Sequence, residues 1–164
     1  MRLLLLPLLA AFALPNAVNA GFTSNVDLMT DETKLRAYLD SSTTTANSIG
    51  IQEEATIWIR CSLKDNLMKS FDAYIDTPSY NADNNNVALR WDKGEPAKAR
   101  WGKSVDSSAF FAPKPKVFAN QISNSDSLVF QWTPYNSGSR AVKFDLGNFK
   151  QDINKLIEAG CDFQ

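Results

Sequence analysis

No histidine occurs among the 164 residues. That absence removes Ser-His-Asp and Cys-His catalysis, histidine-containing zinc sites and the usual general base near neutral pH. Only two cysteines are present, Cys61 and Cys161. Neither sign of charge dominates. Seventeen basic residues face 18 acidic ones, a net charge of −1, which gives no bulk attraction for nucleic acid or an anionic membrane. Long apolar runs are also lacking, with one exception at the start of the chain. No internal repeat, linker or break in composition interrupts the rest.

The exception runs from Leu3 to Leu14, behind Arg2 and ahead of Pro15-Asn16-Ala17-Val18-Asn19-Ala20. A basic start, an apolar segment and small residues at Val18 and Ala20 compose a secretory signal, with cleavage expected after Ala20. Spanning a bilayer takes about 20 apolar residues, and this run is shorter, with Pro7 inside it. No cysteine follows the site, which argues against a lipoprotein. Removing 20 of the 164 residues leaves 144 in one domain, with no second apolar run and hence no transmembrane segment. Arg2 leaves with the signal, so 16 basic and 18 acidic residues give the remainder a net charge of −2. The expected location is periplasmic or secreted. Two cysteines in an exported chain read as one disulfide, Cys61–Cys161.

Beyond the leader the dominant period is two, the signature of half-buried strands. Gly21–Asp31 is polar and reads as turn. Leu35, Ala37 and Leu39 share one face of a strand over 34–40, and Ser41–Ser48 is a polar loop. Ile57, Ile59 and Cys61 share the inward face of a strand over 55–61, and Phe71, Ala73 and Ile75 that of 70–76. Thr77–Asn86 is turn chemistry. Val87–Gly102 reads as a hairpin around Asp92-Lys93-Gly94-Glu95, with Trp91 and Trp101 in the core. A short strand over 108–112 leads to a helix over 116–123. Leu128–Thr133 is apolar on nearly both faces and is expected to be a central strand, paired with Val142–Leu146. From Asn148 the period becomes 3.6: Phe149, Ile153, Leu156 and Ile157 form one face of a helix, with a capping box at Asn148 and Gln151 and Gly160 as its C-terminal stop. About seven strands with turns between them predict a mainly β (α+β) fold, an antiparallel β-sandwich-like sheet with a short helix and a C-terminal helix.

In this order Met29-Thr30-Asp31, Ile59-Arg60-Cys61, Ala99-Arg100-Trp101, Ala109-Phe110-Phe111-Ala112-Pro113, Phe118-Ala119, Val129-Phe130-Gln131-Trp132-Thr133-Pro134-Tyr135-Asn136 and Val142-Lys143-Phe144-Asp145-Leu146, with a closing helix that ends in Cys161, make up a recurring pattern. The set resembles the VasI-like family of small exported proteins associated with bacterial type VI secretion, over about Asp27–Cys161. The resemblance implies an envelope accessory protein with a paired cysteine and no established enzymatic activity. The stretch Asn25-Val26-Asp27-Leu28 departs from the tryptophan and Ser-Pro usual in that family, which implies a different N-terminal contact surface.

No catalytic residue emerges from the sequence, and no cofactor or metal is called for. The candidate binding residues are Arg60, Arg90, Lys98, Arg100 and Tyr135. Arg60 reads either as a carboxylate or phosphate contact or as a strand arginine with its stem laid on Trp58 or Tyr38. Arg90, Lys98 and Arg100 fall on one face of the hairpin, opposite Trp101, and present either a dock for an acidic partner or glycan or a solvated surface. Tyr135 is an aromatic contact or is packed under its own loop. Asp27, Asp31 and Glu32 read as capping groups more simply than as metal ligands. Asp76, Asn81, Asp83 and Asn85 have enough oxygens for calcium but not EF-hand spacing, so turn chemistry fits them better. Two function classes stay open. One is a non-catalytic accessory or binding protein whose partner is an envelope or secretion-system protein, or a glycan. The other is a small glycan or peptidoglycan hydrolase using carboxylates such as Glu53, Glu54 and Asp145; a third variant is an inhibitor of a secreted hydrolase.

Overall fold

A computed structural model of the chain describes residues 18–47 and 49–163. The expected leader, 1–20, lies outside them except for its last three residues. Twelve strands and two helices follow in the order β1 (Ala20–Asp27), β2 (Glu32–Asp40), β3 (Thr45–Ala46), β4 (Gln52–Glu53), β5 (Thr56–Lys64), β6 (Leu67–Asp76), β7 (Asn86–Trp91), β8 (Ala97–Arg100), β9 (Gly102–Lys103), β10 (Ala109–Phe111), α1 (Pro115–Ser123), β11 (Ser127–Trp132), β12 (Arg140–Asp145) and α2 (Phe149–Glu158). They form a six-stranded sheet, β1-β2-β5-β6-β10-β9, a four-stranded sheet, β12-β11-β7-β8, and a small β3-β4 ribbon. Every pairing is antiparallel. The architecture is therefore mainly β and sandwich-like, as the sequence pattern predicts. No helix among the described residues is long and apolar enough to cross a membrane.

The alternating pattern places the core. Leu35, Ala37, Leu39, Ile57, Ile59, Cys61, Ala73 and Ile75 are all nearly inaccessible on the inner face of the larger sheet. Val87, Leu89, Leu128, Phe130, Trp132, Val142 and Phe144 are their counterparts on the smaller one, and all belong to one apolar cluster. Aromatic rings join the layers. Phe110 of β10 meets Phe130 of β11 at 5.9 Å between centroids, and Trp101 meets Phe130 at 5.5 Å and Phe118 of α1 at 5.0 Å. Trp101 stands between β8 and β9, where the chain leaves one sheet for the other, so it fills the core at the crossing. Trp91 is only half-buried and packs on the cluster's rim against Phe118 at 5.7 Å.

Helix α2 lies on β1 and β2, with Phe149, Ile153 and Leu156 buried. Its end is a Schellman motif: Gly160 N–H donates to the Ile157 carbonyl and Cys161 N–H to that of Leu156, both at 2.9 Å. The reversal needs a positive φ, and Gly160 supplies it at 108°. Cys161 then emerges toward the inner face of β5, where it is bonded to Cys61 with Cα atoms 6.1 Å apart. The single predicted bridge is thus present and buried, with Cys61 3% and Cys161 0% exposed.

Several expectations need correction. Gly21–Asp31 is not turn throughout: β1 pairs along its whole length with β2, and only 28–31 form the connecting turn. The polar loop after β2 contains β3, paired with β4. Asn148 makes no side-chain cap, so the capping box does not form; Gln151 N–H donates instead to the Asn148 carbonyl at 3.1 Å. The strands over 55–61 and 70–76 extend to Lys64 and back to Leu67 around Asp65-Asn66. Both turn residues have positive φ, 54° and 59°, which is the twist a two-residue hairpin requires and Asp and Asn tolerate.

Candidate functional site

The outer face of the four-stranded sheet gathers most of the candidate residues. Register puts Lys98 opposite Ala88 and Arg100 opposite Asn86, while Ala88 lies beside Gln131 and Arg90 beside Val129. Successive residues alternate across a strand, so Asn86, Ala88 and Arg90 share the face with Lys98, Arg100, Val129 and Gln131. Their inward neighbours Val87, Leu89, Phe130 and Trp132 are core residues. The small Ala88 leaves a depression of about 490 Å³ edged by Asn86, Lys98, Arg100, Gln131 and Ser139. A second hollow of about 540 Å³ lies beside Arg90 and is lined by Lys93, Lys143 and Ser127 together with the carboxylates Asp92 and Asp126.

Arg90, Lys98 and Arg100 are exposed, and none forms a salt bridge among the described residues. Lys143 is neutralised by Asp145 at 2.7 Å. The face therefore offers Lys98 and Arg100 around small and amide-bearing residues, with Arg90 farther along beside Asp92 and Asp126. That arrangement suits carboxylate or phosphate groups carried by a partner. A guanidinium adds paired donors in a fixed plane, which an ammonium does not.

Arg60 is elsewhere, on the outer face of the six-stranded sheet. It does not lie on Trp58 or Tyr38. Its Nε and one terminal nitrogen each donate to Asp72 at 2.7 Å, a bidentate pair, and its guanidinium carbon sits 4.6 Å from the Tyr74 ring centroid. Asp72 holds the guanidinium even more firmly protonated than usual. Cross-strand register sets this up, since Arg60 pairs with Asp72 directly and Tyr74 is the diagonal neighbour.

Tyr135 is exposed, and its ring meets that of Tyr80 edge-on at 5.8 Å. Two loops are zipped together here: Tyr135 N–H donates to the Tyr80 carbonyl at 2.8 Å, and Asn81 bridges to Pro134. Arg140 and Asn136 border the hollow of about 280 Å³ beside them. The sequence therefore scatters its candidates over three surfaces: Arg90, Lys98 and Arg100 come together, while Arg60 and Tyr135 each stand apart.

Three of the carboxylates offered for hydrolysis or metal binding, Asp145, Glu53 and Asp27, are engaged otherwise. Lys143 and Ser42 hold the Asp145 carboxyl below the usual range, which makes it an anion at neutral pH and unsuited to donate a proton. Glu53 accepts from the Asn47 side chain at 2.8 Å. Asp27 pairs with Lys34 and accepts from Met29 N–H across the β1-β2 turn. Asn81 is fully buried and donates to Thr77 Oγ1 at 2.9 Å, closing its own loop. Asp76 is the opposite case: burial and the nearby Asp106 push its carboxyl above the ordinary value.

No known family profile matches the chain, and no curated protein does. Among solved structures the chain is similar to invasion associated protein B from Bartonella henselae, with a TM-score of 0.46 and 12% identity over 84% of this chain and 92% of that one. At that distance the likeness carries no functional argument.

Proposed function

We propose that the chain is an exported, non-catalytic accessory protein of the bacterial envelope, associated with type VI secretion as its VasI-like resemblance implies. It acts by holding an acidic partner protein on the outer face of β7 and β8. The observation that carries this reading is the set of exposed cations on this face, Lys98 and Arg100 at the depression over Ala88 and Arg90 at the neighbouring hollow, with no acidic residue in a salt bridge to them among the described residues. The buried Cys61–Cys161 bridge supports a life in an oxidising compartment.

The test is an affinity capture from native envelope extract with the tagged domain that begins at Gly21, read by mass spectrometry. Reproducible recovery of a secretion-apparatus protein, lost on Arg100→Glu and weakened by added salt, is the expected result. Recovery that ignores both Arg100→Glu and Lys98→Glu removes this face from the mechanism. A stoichiometric complex with a secreted hydrolase would instead favour the inhibitor reading, on the same surface.

A further inference from the structure

The outer face of the six-stranded sheet, on the other side of the molecule from the basic depression, carries an alignment of a different kind. Tyr38 of β2 pairs with Trp58 of β5, Trp58 with Tyr74 of β6, and Tyr74 with Phe111 of β10. Four adjacent strands thus place four aromatic side chains in one line across the sheet. Neighbouring ring centroids are 5.3, 6.3 and 4.9 Å apart, with the planes within 35° of one another. The line ends at a glycine on each side, Gly21 opposite Tyr38 and Gly102 opposite Phe111. At Gly21 a Cβ would stand 2.8 Å from the Tyr38 ring, so glycine is what lets that ring lie down across β1. All four aromatics are partly accessible, while both helices and the smaller sheet pack on the opposite face.

Polar groups flank this line in equal order. The next cross-strand row is Arg36, Arg60 and Asp72, and the one beyond it Lys34, Ser62 and Ser70. Together they line a hollow of about 230 Å³. Arg36 is exposed and forms no salt bridge among the described residues, and the Arg60–Asp72 pair leaves its outward edges open to solvent, with each side chain more than a third exposed.

We infer that this face is a binding site for an extended glycan strand. A pyranose ring has an apolar C–H face and a rim of hydroxyls. The aromatic line matches the first, with the Arg60 guanidinium covering part of the Tyr74 ring at 4.6 Å from its centroid, and the arginine, aspartate and serine rows match the second. The row's regular ring-to-ring step suits a chain of sugars laid across the strands, with Arg36 and Arg60 beside it to receive hydroxyl, acetamido or carboxylate substituents. Aromatic rows also stack bases, but the chain is acidic overall and lacks the cationic track that a phosphate backbone demands. A cross-strand aromatic row stabilises a sheet in its own right; the polar hollow beside it is what a purely structural row would not need.

The experiment is calorimetric titration of the domain from Gly21 onward with chitohexaose, cellohexaose and solubilised peptidoglycan strands. Saturable binding to at least one of them is expected. Trp58→Leu and Tyr74→Leu should weaken it about tenfold or more, and Arg36→Ala should weaken it less, while Lys116→Ala on the exposed side of α1 leaves it unchanged. Each variant is first checked for an intact disulfide and a cooperative melt; Phe111→Leu, nearer the sheet edge, substitutes for any that fails. No saturable binding to any of the three up to millimolar glycan overturns the inference, and so does binding indifferent to Trp58→Leu and Tyr74→Leu. Loss of partner capture by Arg100→Glu tests the other face separately, so the two proposals stand or fall independently.

Discussion

Removing the disulfide is the perturbation whose size follows most directly from the structure. Cys61 lies in the middle of β5 and Cys161 three residues past α2, 100 residues apart in sequence. Loop-closure entropy for that span is worth about 4.7 kcal/mol in the chain-entropy description, and measured losses for native bridges run about 2–5 kcal/mol. The lower half of that range is expected here. Phe149, Ile153 and Leu156 of α2 remain buried against the sheet without any covalent tie, and residual contacts of this sort in the unfolded chain shrink the entropy gain. The Cys61→Ala/Cys161→Ala variant suits the test, because serine would bury unpaired hydroxyls at two inaccessible positions. Urea unfolding followed by far-ultraviolet circular dichroism should show a loss of about 2–3.5 kcal/mol with a steeper slope, because the unbridged unfolded chain exposes more surface, and a melting temperature lower by roughly 5–15 °C. The folded variant should retain its helix signal, since the bridge pins α2 but does not form it. A loss under about 1 kcal/mol would refute the reasoning, by showing that the docking of α2 alone already restrains the chain. Failure to fold at all would refute it from the other side.

Three further outcomes follow from particular residues. Phe110→Ala removes a fully buried ring that joins the two sheets through Phe130 and should cost about 3–5 kcal/mol in urea unfolding. Gly160→Ala forces a side chain to adopt φ 108° in the motif that turns α2 toward the bridge; a loss of about 1 kcal/mol or more is expected from the same assay. Asp76 gives a pH signature. Its carboxyl titrates above the ordinary 3.8 in the folded state, so the folded protein holds that proton more tightly than the unfolded chain. Stability from this group is greatest at low pH and falls as pH rises from about 3.8 through the raised folded value, the penalty then persisting at neutral pH. Asp76→Asn should accordingly be more stable than the parent at pH 7 and converge with it below that window; a less stable variant at pH 7 would show that the hydrogen bonds from Thr77 and Ser108 outweigh burial.

How much of this was legible in the sequence depends on whether the signal was carried within one strand or between strands. Period two located β2, β5, β6, β7, β11 and β12 and told inward residues from outward ones, because burial of Ile57, Ile59 and Cys61 against exposure of their neighbours is a property of a single segment. The same logic put Arg90, Lys98 and Arg100 on one face, since the Asp92–Pro96 turn joins their strands directly. It failed at β1, whose polar residues Thr23, Ser24 and Asn25 are mostly exposed at a sheet edge and carry little alternation. It failed for β3, β4 and β9 because two residues contain no period.

The aromatic row lay beyond reach for a different reason. Tyr38, Trp58 and Tyr74 alternate outward within their own strands, while nothing in the short apolar stretch over 108–112 marks Phe111 as outward; the four are 16 to 37 positions apart and become neighbours only through three strand registers. Those registers are set by the Asp65-Asn66 turn, by the bulge at Ser62/Leu63 and by the crossing at Trp101 that brings β10 back to β6. A slip of one residue in any of them would turn that strand's aromatic into the core and break the line. Arg60 shows the same dependence: the sequence offers Trp58, two residues away, and Tyr38 as partners, yet register gives it Asp72 and Tyr74 instead. Surfaces built along one strand or one tight hairpin are thus read from sequence, whereas surfaces built across a sheet wait for the registers that assemble them.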